Sequence, residues 1–299
     1  VTVAAAGSMS RPGYSFVEWN TAANGTGTSY DPSDTFTMGA ADITLYAQWS
    51  INTVTLTYNA NGGSGAPDPE NYTYGSTATV SSAPPTRTGY TFDDWDTASG
   101  GGGTAYNPGD TFTITVNTTL YAQWTINSYT LAYDANGGTG APSSQPVNYN
   151  ATASISGSLP TRSGYSLSSW NTASDGSGTG YQPSGSFTMP AANVTLYAQW
   201  TADTQLLVYS GNGGSPVPST VVSATAGTVT VSSTVPLRTG YTFSAWNTAL
   251  NGSGSSYSAG DTVTMSAANV TLYAQWTANS YTITYDANGG SGAPSATTG

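Results

Sequence analysis

Val54, Leu56 and Tyr58 alternate with Thr53, Thr55 and Thr57, the two-residue period of a strand that buries one face. Asn61-Gly62 follows, a pair that accepts the positive φ angles of tight hairpin turns. The strand is therefore predicted to fold back onto a segment around Tyr72 to Val80. In Ala83-Pro84-Pro85-Thr86-Arg87-Thr88-Gly89 the paired prolines remove donors and fix φ, which excludes a helix interior or a central strand. That stretch reads as a crossover with room for one short helical turn. Tyr90-Thr91-Phe92 opens a third strand. Trp95 lies an odd number of residues beyond Tyr90, so strict alternation would turn it outward, and a bulge near Asp93 is predicted to return it to the core. Leu120, Ala122 and Trp124 share one face of a fourth strand that recurs as Leu45 to Trp49, Leu196 to Trp200 and Leu272 to Trp276. Its uniformity predicts a central position.

The tryptophans stand at 19, 49, 95, 124, 170, 200, 246 and 276, and the arginines at 11, 87, 162 and 238. Both sets repeat every 75 or 76 residues, which overrides any length-based expectation of two domains. Solenoid units are shorter, so each period is expected to be a small domain with its own core. The expected organisation is the C-terminal part of a repeat at 1–49, repeats at 50–124, 125–200 and 201–276, and the N-terminal strand region of a further repeat at 277–299. The fold class is mainly β: a tandem array of small domains of about 75 residues with little or no helix. Only about four polar residues, such as Ser50-Ile51-Asn52-Thr53 or Thr201-Ala202-Asp203-Thr204, join one period to the next. That is too short for a free linker. A semi-rigid string of four units would be roughly 100 to 130 Å long.

Composition narrows the chemistry. The basic residues are four arginines; there is no lysine, histidine or cysteine. Schiff bases, imidazole bases, thiolate nucleophiles and zinc sites with nitrogen or sulfur ligands cannot be built. A formal net charge of -11 opposes nucleic acid and anionic lipid, so neither nucleic-acid binding nor membrane insertion is expected. No apolar run approaches the roughly 20 residues of a membrane span, and Val1 does not open a signal peptide, so a mature piece is expected. Glycosidase chemistry needs only two carboxylates. Glutamate is limited to Glu18 and Glu70, and nothing in the sequence pairs acids across a cleft, so no enzyme is expected.

Tyr58-Asn59-Ala60-Asn61-Gly62-Gly63, Pro85-Thr86-Arg87-Thr88-Gly89-Tyr90-Thr91-Phe92, Trp95 and Leu120-Tyr121-Ala122-Gln123-Trp124 resemble the Listeria–Bacteroides repeat family, the B-repeat type of internalin-like proteins. The resemblance covers essentially the whole chain. It implies β-grasp-like modules of secreted or wall-attached bacterial surface proteins, acting as stalks, spacers or adhesive modules, with no catalytic residue and no cofactor. Internalin-type copies are richer in Lys and Glu, which argues against glycosaminoglycan binding here. Leu206 and Val208 replace a polar strand face in the period 201–276 and suggest a local contact surface. The expected function is an extracellular stalk or filament at the cell surface. The alternative is an adhesin module that binds a host or matrix glycan or protein.

Each arginine precedes a Gly-Tyr pair, and two structural roles are open to it: pairing with Asp110 (Asp34 and Asp261 elsewhere, Gly185 in one period), or stacking on an aromatic ring. Recognition of a sugar or carboxylate is the functional alternative. Asn24-Gly25-Thr26-Gly27, Asp175-Gly176-Ser177-Gly178 and Asn251-Gly252-Ser253-Gly254 have the outline of half a calcium loop but supply at most one acid each, so turns are expected and no metal site is assigned. Asp93, Asp94 and Asp96 read as a solvated face. The tryptophans read as core, with sugar stacking as the rival. Asn71, Asn117 and Asn193 begin glycosylation sequons, and Thr–Gln ester links are conceivable where Lys–Asn isopeptide bonds are not. Residues 277–299 and 1–49 together make almost one period. The tail of one chain is therefore expected to complete the truncated domain of the next by strand donation, or else the sequence is a window on a longer array.

Overall fold

Threonine, valine and tyrosine, which suit a half-buried pleated surface, form the strands of the period 50–124. These are β1 (Thr53–Asn59), β2 (Glu70–Thr73), β3 (Ser76–Thr79), β4 (Tyr90–Asp96), β5 (Ala105–Tyr106), β6 (Thr111–Ile114) and β7 (Thr118–Ile126). Five make one sheet in the order β2-β1-β7-β4-β5, and β3 pairs with β6 in a separate ribbon. β7 is central, as predicted: it runs parallel to β1, with Leu120 opposite Tyr58, and antiparallel to β4, with Ala122 opposite Trp95. The same five-strand order recurs with the strands Ser128–Asp134 and Val194–Ala202, and with Thr204–Ser210 and Val270–Ala278, at its centre. The computed structural model describes residues 1–299. It has two compact units, Val1–Tyr129 with Val147–Ala151 and Thr188–Ala192, and Thr130–Pro146 with Thr152–Phe187 and Asn193–Gly299.

The alternation read from β1 holds. Val54, Leu56 and Tyr58 are buried and join Ala78, Val80, Trp95, Ile114, Leu120 and Ala122 in one core. The ribbon supplies Ala78 and Ile114, so the sheet buries one face beneath it. The bulge is present: Phe92 pairs with Trp124 and Trp95 with Ala122, leaving Asp93 and Asp94 opposite Gln123 alone. It recurs between Phe16 and Glu18, Leu167 and Ser169, and Phe243 and Ala245. Trp95, Trp170 and Trp246 are fully buried as a result, although their indole N–H groups have no hydrogen-bond partner. Burying an indole removes on the order of 150–250 Å², worth ~4–6 kcal/mol, against ~1–3 kcal/mol for the unpaired donor, so burial wins.

Four expectations need correction. The predicted four strands are seven: the segment from Tyr72 to Val80 breaks at Gly75 (φ 74°) and sends β3 to the ribbon instead of the sheet, and the short strands β5 and β6 add two more. Asn61-Gly62 does have positive φ, 48° and 89°, but does not close a tight hairpin. The Asn61 amide instead donates to the Ser99 and Ala122 carbonyls, at 2.8 and 2.9 Å, pinning the turn to the sheet. The crossover carries no helical turn: Thr86 exchanges two backbone hydrogen bonds with Ser64, holding the proline segment extended. The four-residue linkers shrink to one residue, since strands run on to Ile51, Ile126 and Ala202 and resume at Thr53, Ser128 and Thr204.

Candidate functional site

The single residues between strands build a recurring joint. Gly89 adopts φ 76° directly after the arginine turn. Its carbonyl accepts from the Asn127 N–H at 2.9 Å, and the Asn127 carbonyl accepts from the Tyr149 N–H at 2.9 Å. The Thr91 hydroxyl donates to the Asn127 side chain at 2.6 Å. The Tyr149 ring lies against Gly89 so closely that an added Cβ would fall within it. Glycine is required there twice over, by its φ and by this contact. Gly13, Asn52 and Tyr74 repeat the arrangement, with bonds of 2.8 Å and the Ser15 hydroxyl on Asn52. Gly164, Asp203 and Thr225 repeat it again, with Thr225 replacing tyrosine and Ser166 bonded to Asp203. Around Gly240 the Asn279 bond is kept at 3.0 Å, and nothing lies within 4 Å of an added Cβ.

The arginines sit beside these joints. The pairing with Asp110 is not formed: Asp110, Asp34 and Asp261 each accept a 2.7 Å bond from their own turn, from the N–H of Asn107, Asp31 and Ser258. The arginines take the stacking alternative. Their guanidinium carbons lie 3.8, 3.8, 4.1 and 3.9 Å from the ring centres of Tyr14, Tyr90, Tyr165 and Tyr241. Gly62, Gly137 and Gly213 also approach Arg87, Arg162 and Arg238, with added-Cβ distances of 3.4, 3.6 and 3.3 Å. A flat cation stacked on a ring and close to a glycine turn is thus a feature of three periods. Trp124, Trp200 and Trp276 are only half-buried, and their indole N–H groups donate at 3.0–3.1 Å to carbonyls of the same glycine turns.

Asp96 is not solvated. It is 3% exposed, and its carboxylate accepts from the N–H of Ala98 at 2.6 Å and of Gly103 at 3.0 Å. Asn20, Asn171 and Asn247 hold the equivalent loops with an added donor, for example Asn247 Nδ2 to the carbonyls of Gly252 and Gly254 at 3.2 and 3.1 Å. This buried loop anchor was missed in the sequence, although the Asn/Asp exactly one residue after each core tryptophan marks it. Asp94 has a buried, unpartnered Oδ1; burial, then Asp96 and Asp93, raise its carboxyl above the ordinary carboxylate range. The Asn24, Asp175 and Asn251 loops are Asx turns, whose side chains accept from Thr26, Ser177 and Ser253. Of the sequon residues, Asn117 and Asn193 accept from the backbone N–H groups of Thr55 and Thr130 at 2.9 and 2.8 Å. Leu206 and Val208 are half-exposed, and Leu206 pairs with Val222, itself 63% exposed.

Periodic sheets, one-residue joints and a repeated arginine–tyrosine stack define a tandem array of mainly-β repeat modules. Residues 1–48, 55–123, 129–199 and 207–275 match the Listeria-Bacteroides repeat domain, and the chain belongs to that family. It is 36% identical over 306 residues to a protein of Evansella cellulosilytica named as a Gly-rich membrane protein, an alignment covering 97% of this chain and 33% of that one. A second Evansella protein, named as a membrane protein, is 34% identical over 258 residues, 80% of this chain and 35% of its own. Internalin H of Listeria monocytogenes is 38% identical over 117 residues, 39% of this chain and 20% of its own. The chain thus spans about a third or less of the length of these relatives. No helix is long and apolar enough to cross a membrane.

Proposed function

We propose that the chain is a non-catalytic, semi-rigid spacer in a bacterial surface protein, located outside the cell and holding other parts of that protein at a distance. The observation that carries this reading is the joint: one connecting residue, two backbone hydrogen bonds, one side-chain bond and a residue seated on glycine, built three times from Gly13, Gly89 and Gly164. A joint with no free linker restricts bending between neighbours. The names of the Evansella relatives support a membrane-associated setting.

Single-molecule extension tests the spacer. Each complete repeat should unfold as its own event and lengthen the chain by about 25 nm, from ~75 residues at ~3.4 Å each. One event releasing the whole chain would refute independent modules.

Extension of the array by strand pairing has its own support. The strand Tyr46–Ile51 lies at a sheet edge, where β7 has β1 beside it. Tyr281, Ile283 and Tyr285, the counterparts of Val54, Leu56 and Tyr58, are 63%, 60% and 48% exposed. A segment like 277–299 laid on that edge would bury both, within a longer array or between copies. Deleting 277–299 should abolish any concentration-dependent assembly of this chain; assembly that survives the deletion excludes donation between copies.

A further inference from the structure

Arg87 stands apart from an ordinary surface arginine in three ways. Its guanidinium stacks on Tyr90, 3.8 Å from the ring centre, and the Gly62 backbone approaches it closely. No carboxylate and no hydrogen-bond acceptor of its own compact unit engages it, although the chain carries 15 acids. Arg238, by contrast, donates to the Asn212 carbonyl at 3.4 Å. Arg87 lines an open pocket of about 460 Å³, a volume suited to a small-molecule ligand. The pocket spans the joint: Tyr149 and Asn150 close one side, and Thr86, Thr88 and Ser64 bring hydroxyl groups to the other. Tyr90 and Tyr149 meet edge to face, 6.0 Å apart at 79°, so they offer two differently oriented apolar surfaces.

We infer that this pocket binds a sugar acid, one carboxylated pyranose unit of a polysaccharide. A preformed guanidinium fork matches a carboxylate through two parallel N–H···O bonds and loses little entropy in doing so. The tyrosine rings suit the apolar face of a pyranose, and the threonine and serine hydroxyls suit its ring hydroxyls. The net charge of -11 opposes a densely charged polyanion, so a polymer with spaced carboxylates fits better than a sulfated one. The other joints are poorer sites. Arg11 has no glycine turn over it in this chain, and at Gly164 the tyrosine is replaced by Thr225.

The test is an NMR titration of the full chain with methyl glucuronide, methyl glucoside and acetate, following the amides of Gly62, Gly63 and Thr88. Saturating shifts with the glucuronide at millimolar concentration, at least tenfold weaker shifts with glucoside and with acetate, and a tenfold loss in Arg87→Lys are expected. Tyr149→Thr, which installs the residue found at the Gly164 joint, keeps the fold testable if the arginine variant unfolds, and should weaken binding at least threefold. Equal binding of acetate would reduce the pocket to a bare carboxylate receptor, and equal binding of glucoside would remove the role of Arg87. Either result overturns the assignment, as does the absence of saturation by the glucuronide at 50-fold above the expected millimolar range.

Discussion

Replacing Gly89 with alanine separates the joint from everything else the glycine does. Gly89 and Gly240 occupy equivalent positions with φ 76° and 79°, and both carbonyls accept the N–H of the connecting asparagine. They differ in that Tyr149 covers the first and nothing covers the second. Alanine at either site costs ~1–2 kcal/mol for left-handed backbone. At Gly89 the Tyr149 ring must also lift. About 50 Å² of lost ring contact is worth ~1 kcal/mol, and the Asn127–Tyr149 hydrogen bond that moves with it is worth ~1 kcal/mol more. The excess of Gly89→Ala over Gly240→Ala is therefore about 2 kcal/mol, roughly a 30-fold change in an opening equilibrium. Hydrogen exchange at single amides reads it: Tyr149 and Asn127 should exchange about 30-fold faster relative to the loss seen at Asn279 in Gly240→Ala. Equal acceleration in the two variants would mean that Tyr149 contributes no stability to the joint and does not stiffen it.

Asp96→Asn should stabilise its repeat by ~0.5–1.5 kcal/mol, because two donors to the Gly101 and Gly103 carbonyls outweigh the loss of charge on the existing acceptor bonds; a fall in denaturation midpoint would contradict this. For Asp94 the sign follows from its raised carboxyl. The ionised form is disfavoured in the fold, so its penalty is present above the shifted value and disappears as pH falls below the ordinary carboxylate value of 3.8. Asp94→Ala, matching Ala245, should raise the melting temperature at pH 7 and leave it unchanged near pH 3. Tyr58→Phe removes the acceptor for the Ser81 N–H, 2.7 Å away, and should cost ~1–2 kcal/mol in exchange protection of that amide, while Tyr285→Phe, at an exposed ring, should change nothing measurable.

How far the sequence reveals this molecule depends on whether a feature is local. The alternation in β1, the bulge that turns Trp95 inward and the central place of β7 were all legible, because strand faces have a two-residue period and Trp95 breaks it. The β3–β6 ribbon was not, since Ser76–Thr79 and Thr111–Ile114 are short and their pairing is settled by what covers the sheet. The arginines were legible as structural, but stacking prevails over ion pairing because Asp110 is already committed to its own turn. Asp96 was misread because three neighbouring acids look solvated, whereas the loop that follows the strand folds over one of them and brings the Ala98 and Gly103 N–H groups onto its carboxylate. The joint left only a faint trace, a glycine followed 60 residues later by Tyr149, and such a contact has no local signature.

Small-angle scattering of the full chain addresses the spacer most directly. The proposed spacer requires the maximum dimension of roughly 100 to 130 Å expected from the sequence, hence a radius of gyration of about 29–38 Å, against about 19 Å for one globular body of this length. A rod-like profile with the larger radius is the predicted result. A radius near the globular value, with the repeats collapsed on one another, would contradict the spacer.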